Sequence, residues 1–124
     1  MANKSGIEIE GIDELVKRLG GLADQGRKVE RAALRKGGDV MKASIEQEAP
    51  VKSGELRRSI RRSGVREDAG GPYVLVWPAA FYAHMIEFGT VKMRANPFVA
   101  RGYESGKQPT LAAMIAELRR GLGL

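Results

Sequence analysis

Between Asp24 and Glu48, small and apolar residues recur at helical spacing, and Pro50 then halts the pattern. Val29, Ala32, Ala33, Lys36, Val40, Ala43 and Ser44 fall near one face. A proline cannot continue a helix, and it pushes Ala49 toward an extended backbone. The stretch therefore predicts one long helix with a narrow face of small side chains. Such a face suits close approach of a second helix, in this chain or in another subunit. Gly37-Gly38 lies in the middle, and each glycine costs a helix roughly 1 kcal/mol relative to alanine. The pair predicts a kink or a tight crossing.

The rest of the chain must supply something for that face to pack on. With 124 residues there is room for one core, so residues 1–124 are read as a single domain, with 1–6 a flexible arm. Aromatic residues are only 6% of the chain, so the core must rest on Leu, Ile, Val and Ala. Ile7-Glu8-Ile9-Glu10-Gly11 alternates as a short half-buried strand would. Ile12 to Leu19 has helical spacing, with Asp13 and Glu14 favouring a helix N-terminus, and Gly20-Gly21 is expected to interrupt it. After Pro50, Ser53 is a candidate N-cap for a short helix or turn over Gly54 to Ile60.

Ile60 to Val65 and Tyr73 to Trp77 read as strands. Asp68-Ala69-Gly70-Gly71-Pro72 between them is turn chemistry, so the two form a hairpin. The first strand carries the basic residues and the second the apolar ones. Phe81 to Phe88 reads as a short helix ended by Gly89, and residues 91–95 as a loop or extended arm. Tyr82, Phe88 and Trp77 are expected to fill the sheet–helix interface. Phe98 to Ser105 and Thr110 to Leu122 read as two helices, the second with a stripe of Leu111, Met114, Ile115 and Leu118. The fold expected is α+β: a small antiparallel sheet of three to four strands, packed against a long N-terminal helix and C-terminal helices.

Composition removes several function classes. The chain has no cysteine, so disulfide scaffolds, cysteine zinc sites, iron–sulfur clusters and thiol nucleophiles are excluded. With His84 the single histidine, a histidine-rich metal site is excluded too. His84 and Glu87 stand three apart on one helix face, which could be a base and its orienter. The plainer reading is a surface pair, or a Glu87 tied to backbone. No phosphate loop, nucleophile motif or ligand cluster accompanies them, so neither an enzyme nor a cofactor or metal is expected. No apolar run approaches the roughly 20 residues of a membrane helix, and the polar start lacks a signal-peptide core. A soluble protein made in the cytosol, with no membrane partner, is the expectation.

The net charge of +6 is concentrated. Lys52, Arg57, Arg58, Arg61, Arg62 and Arg66 face one acid, Glu55, over fifteen residues. These six could contact DNA phosphates or acidic partners. No aromatic residues interleave with them, so a base-stacking platform is absent. A second segment of interest runs from Glu87 to Phe98. It mixes exposed-type apolar residues with positive charge and has no regular period. Glu87, Phe88, Gly89, Thr90, Lys92, Met93, Arg94, Pro97 and Phe98 are its candidate subunit or partner contacts, Met and Phe being of types enriched in interfaces. The alternative is an ordinary loop whose Phe98 plugs the core.

Three stretches resemble one family. Ala49-Pro50-Val51-Lys52-Ser53-Gly54-Glu55-Leu56-Arg57-Arg58-Ser59-Ile60 resembles A-P-x-K/R-T/S-G-x-L-R-x-S-I. Phe81-Tyr82-Ala83-His84-Met85-Ile86-Glu87-Phe88-Gly89-Thr90 resembles Y-A-x-x-x-E-F/Y-G-T, and Ala95-Asn96-Pro97-Phe98 resembles A-x-P-F. Their order and separation are similar to those of the head–tail joining or tail-completion proteins of long-tailed phages, with relatives like the lambda minor tail protein Z. The family often continues P-F-L-x-P-A, whereas Val99-Ala100-Arg101 follows here, without the second proline.

The resemblance implies a structural virion protein of the tail and neck, assembled in the host cytoplasm and without enzymatic activity. It implies a homo-oligomer, a hexameric ring around the DNA channel, built through a heterologous interface. The implied partners are other neck and tail proteins: tail terminator, tail tube and head-completion proteins. Non-specific contact with channel DNA is the further implication for the basic cluster. The alternative reading from the residues is a small DNA-binding module using the basic 52–66 segment.

Overall fold

A computed structural model describes residues 2–52 and 54–124, with side chains from Gly20 onward. Eight elements follow in order. Helix α1 spans Ala2–Glu48, and the one-turn helix α2 spans Glu55–Arg58. Four short strands come next: β1 Ile60–Arg62, β2 Arg66–Asp68, β3 Gly71–Tyr73 and β4 Val76–Pro78. Helix α3 spans Ala83–Phe88 and helix α4 Phe98–Leu122. The fold is α+β, as the sequence predicts.

Helix α1 is longer than its sequence pattern suggests. Ile7 to Gly11 lies within it, not in a strand. Gly20-Gly21 does not end it either. Ending a helix requires new partners for its last carbonyls. Leu22-Ala23 are good helix formers that offer none, so the glycines weaken the helix without stopping it.

Helices α1 and α4 pack antiparallel along a seam of small residues. Val29 lies against Gly121, Met114 against Gly37, Ile45 against Gly102, and Ser44 with Met41 against Gly106. Ala33, Gly37, Met41 and Ile45 are four apart on α1, as Gly102 and Gly106 are on α4, the spacing of interdigitating ridges. A Cβ on Gly102 would stand 2.6 Å from the Ile45 Cα, so the two backbones nearly touch there. Of the narrow face expected from sequence, Val29, Ala33 and Ser44 lie in this intramolecular seam, whereas Lys36 and Ala43 are exposed; Gly37 marks the tight crossing. This seam also explains why the two expected C-terminal helices are one. Gly102 and Gly106 fix α4 before Pro109, Met114 fixes it after, and Pro109 sits inside with its ring exposed. Of the expected stripe, Met114 faces the seam, while Leu111 and Ile115 remain about half exposed.

The hairpin is real but broken in the middle. β1 pairs antiparallel with β4, Arg61 opposite Trp77, and β2 with β3, Glu67 opposite Pro72. Ser63 bridges the gap. Its N–H donates to Leu75 O at 2.8 Å, and its hydroxyl accepts from Leu75 N at 2.8 Å. A side chain replacing a backbone group ends the regular alternation beyond β1. Within β1, Ile60 and Arg62 turn inward and Arg61 outward. In β4 the same alternation puts Trp77 outward. Trp77, expected in the sheet–helix interface, is 39% exposed.

The core lies where the C-terminal end of α1 meets α2, β1, α3 and the start of α4. Ile45, Ala49, Leu56, Ile60, Ala83 and Phe98 are buried together. Phe98 and Ile60 are essentially inaccessible, and each such side chain stabilises the fold by roughly 1.5–3 kcal/mol.

Candidate functional site

The three motif stretches converge on one end of the molecule. Leu56 and Ile60 of the first, Ala83 of the second and Phe98 of the third share the core cluster. Glu87 joins the second to the start of α4, directly after the third. Its carboxylate accepts from the N–H groups of Val99 at 2.8 Å and Ala100 at 3.2 Å. These are free donors at the start of α4, where Pro97 gives no side-chain cap. A carboxylate there satisfies them and complements the helix dipole. Glu87 is therefore tied to backbone, the plainer of its two expected readings, while His84 is exposed on α3.

Gly89 ends α3 with φ 77° and ψ 175°, a region essentially reserved for glycine. A Cβ there would stand 2.7 Å from Ala95 N and 2.9 Å from Met93 O. The chain can turn because Gly89 lets residues 93–95 cross directly over it. Asn96 N then donates to Ile86 O at 2.8 Å, and Thr90 N to Met93 O at 2.8 Å. Arg101 closes the arrangement, its guanidinium donating to Glu48 Oε2 at 3.2 Å and to Asn96 Oδ1 at 2.6 Å. Thus Glu87, Gly89 and Phe98, expected as partner contacts, are positioned inside the joint. Phe98 in particular has no accessible surface, which is the core-plug alternative.

The joint leaves other side chains outside. Phe88 is 79% exposed and Val91 fully so, with Thr90, Lys92, Met93, Arg94 and Pro97 also exposed. Phe88, expected in the sheet–helix interface, therefore faces solvent, because Glu87 and Ile86 occupy the inward positions of α3. Phe81, 83% exposed, was not singled out by sequence. Its spacing of seven residues from Phe88 is the signal that could have found it.

Beside this loop lies an open groove of about 490 Å³. Pro50, Leu56, Tyr82, Ile86 and Met93 give it apolar walls, and Lys52 and Arg94 line it with positive charge. All three motif stretches contribute, Asn96 from the third. Partial burial and the neighbouring Glu55 carboxylate, which also hydrogen-bonds the phenol, hold the Tyr82 hydroxyl above its usual pKa, with Arg58 opposing.

The basic cluster does not form one face. Arg62 pairs with Asp39 on α1 at 2.6 Å, its stem crossing Gly38. Arg61 donates to the Arg58 carbonyl at 2.7 Å, and the Arg58 guanidinium lies over Gly54. Arg57 is half-buried, whereas Arg66 and Lys52 are exposed. Gly54, at φ 80°, precedes α2, and the expected N-cap Ser53 lies outside the described residues. No cluster of metal-ligating side chains occurs among the described residues, and no helix is long and apolar enough to cross a membrane.

No curated protein and no solved structure matches the chain. A family model described as "Bacteriophage HK97-gp10, putative tail-component" matches residues 13–89. That match takes in most of α1, both strand pairs and α3, so it contains the first motif stretch whole and the second as far as Gly89. Covering more than half of the sequence, it shows that the chain belongs to the HK97-gp10-like family of phage tail components.

Proposed function

We propose that this protein is a tail-completion or head–tail joining subunit, acting at the head-proximal end of the tail. The observation that carries the reading is the division of labour around Gly89. Glu87, Gly89, Asn96 and Phe98 make a rigid joint, and that joint holds Phe88 and Val91 out in water. Exposed apolar side chains on a braced loop suit docking to protein. Association of copies through two different patches would give the ring that six-fold tail symmetry requires. The resemblance of the three motif stretches to tail-completion proteins, lambda protein Z among them, supports the same role, as does the phage-tail family.

The basic cluster contributes to protein contact in this reading. Arg62 is engaged by Asp39, and the exposed cations Lys52, Arg61 and Arg66 are spread over the loop before α2 and the strands β1 and β2. The test is deletion of the gene from the phage that carries it. Lysates should contain filled heads and finished tails that stay separate under electron microscopy. Normal infectious particles from the deletion would overturn the proposal.

A further inference from the structure

Two features at opposite ends of α1 are complementary. At its C-terminal end lies the groove of Pro50, Leu56, Tyr82, Ile86 and Met93, with Lys52 and Arg94 beside the apolar walls. Toward its N-terminal end the sequence is acidic and apolar. Glu8, Glu10, Asp13 and Glu14 occur between residues 5 and 16 with no Lys or Arg among them. Lys17 and Arg18 follow, leaving residues 5–19 with four acids against two bases, and Ile9, Ile12, Val16 and Leu19 are spaced i, i+3, i+7 and i+10, the pattern by which a helix lays one apolar face into a groove.

Geometry decides between a contact within one chain and a contact between chains. Helix α4 accompanies α1 from Glu48 back to Gln25, whose side-chain amide donates to Gly121 O at 3.4 Å. The helical residues before Gln25 run on past that point, a further reach of about 35 Å at 1.5 Å per residue. From Glu8 to Glu48 along the same helix is about 60 Å. The acidic segment of one copy therefore cannot reach its own groove, but it can reach another's.

We propose that the N-terminal part of α1 docks in the Lys52–Arg94 groove of a second copy of this chain. This contact is heterologous, so it either closes into a ring or extends into a filament. It rests on the assembly reading above and names the two surfaces.

The test uses a labelled peptide of residues 5–19 titrated onto the full chain, held dilute enough to be monomeric by light scattering. Saturable binding is expected, weakened about tenfold by K52E with R94E, since two rim charge pairs together supply roughly 1.4 kcal/mol. A peptide carrying Gln at positions 8, 10, 13 and 14 should weaken to a similar degree, and both effects should shrink in high salt. Circular dichroism and melting of the double variant check that its fold is intact. No saturable binding, or binding indifferent to both sets of charges, overturns the inference. Phage complementation by the same variant separates the two claims. Failed binding with a gene still needed for joining removes this contact and leaves the tail role standing.

Discussion

Glu87 and Gly89 are the residues on which the joint depends most. Glu87→Ala leaves two N–H groups at the start of α4 without their acceptor, so a loss of about 1–2 kcal/mol is expected in urea unfolding. Gly89→Ala must adopt a backbone region that side chains avoid and must also push on Ala95 N, and roughly 1–3 kcal/mol is expected to be lost. His84→Ala, by contrast, should leave stability within about 0.5 kcal/mol, as for other exposed sites. Tyr82 adds a pH dependence of definite sign. Its folded pKa is raised above 10.0, so the folded state holds the proton more tightly. Stability from this group is complete below pH 10 and falls as pH rises through the raised value. Tyr82→Phe should flatten that slope in alkaline unfolding curves. The sequence showed Gly89 as a turn and Glu87 as a candidate for backbone contact. It could not show that the partners of Glu87 are Val99 and Ala100, directly after the third motif, because a hydrogen bond across 12 or 13 residues leaves no local pattern.

At the scale of elements, the α1–α4 seam makes a contrast that a single titration can read. Gly102→Ala forces a Cβ to within 2.6 Å of the Ile45 backbone, and overpacking of this kind costs about 1–3 kcal/mol. Gly20→Ala and Gly21→Ala meet nothing within 4 Å, and each should instead favour the helix by up to about 1 kcal/mol. Urea midpoints of the three variants should therefore move in opposite directions. The seam was legible in part, through Val29, Ala33 and Ser44 but not through Lys36 and Ala43, which are exposed, and the hairpin was legible from its Gly-Gly-Pro turn. The single α4 was not legible, because Pro109 reads locally as a break, and only packing on both sides of it keeps the helix whole. Trp77 was misplaced for a similar reason: a large aromatic residue suggests burial, but the register that turns Ile60 inward also turns Trp77 out.

The whole molecule combines a braced core with an exposed apolar pair, Phe88 and Val91, to which the proposed joining role gives the docking contact. The three motif stretches mostly serve the core: Leu56, Ile60, Ala83 and Phe98 pack together, and Glu87 caps a helix. What they leave exposed was harder to read. Phe88 and Phe98 are chemically alike and ten residues apart, yet one is 79% exposed and the other has 0% exposure. The most direct test is complementation of a deletion phage with F88S combined with V91S. Both side chains are already in water, so the purified variant should melt like the parent. The account predicts that it nevertheless fails to restore infectious particles, with heads and tails accumulating apart. Full restoration by a variant that folds normally would contradict it.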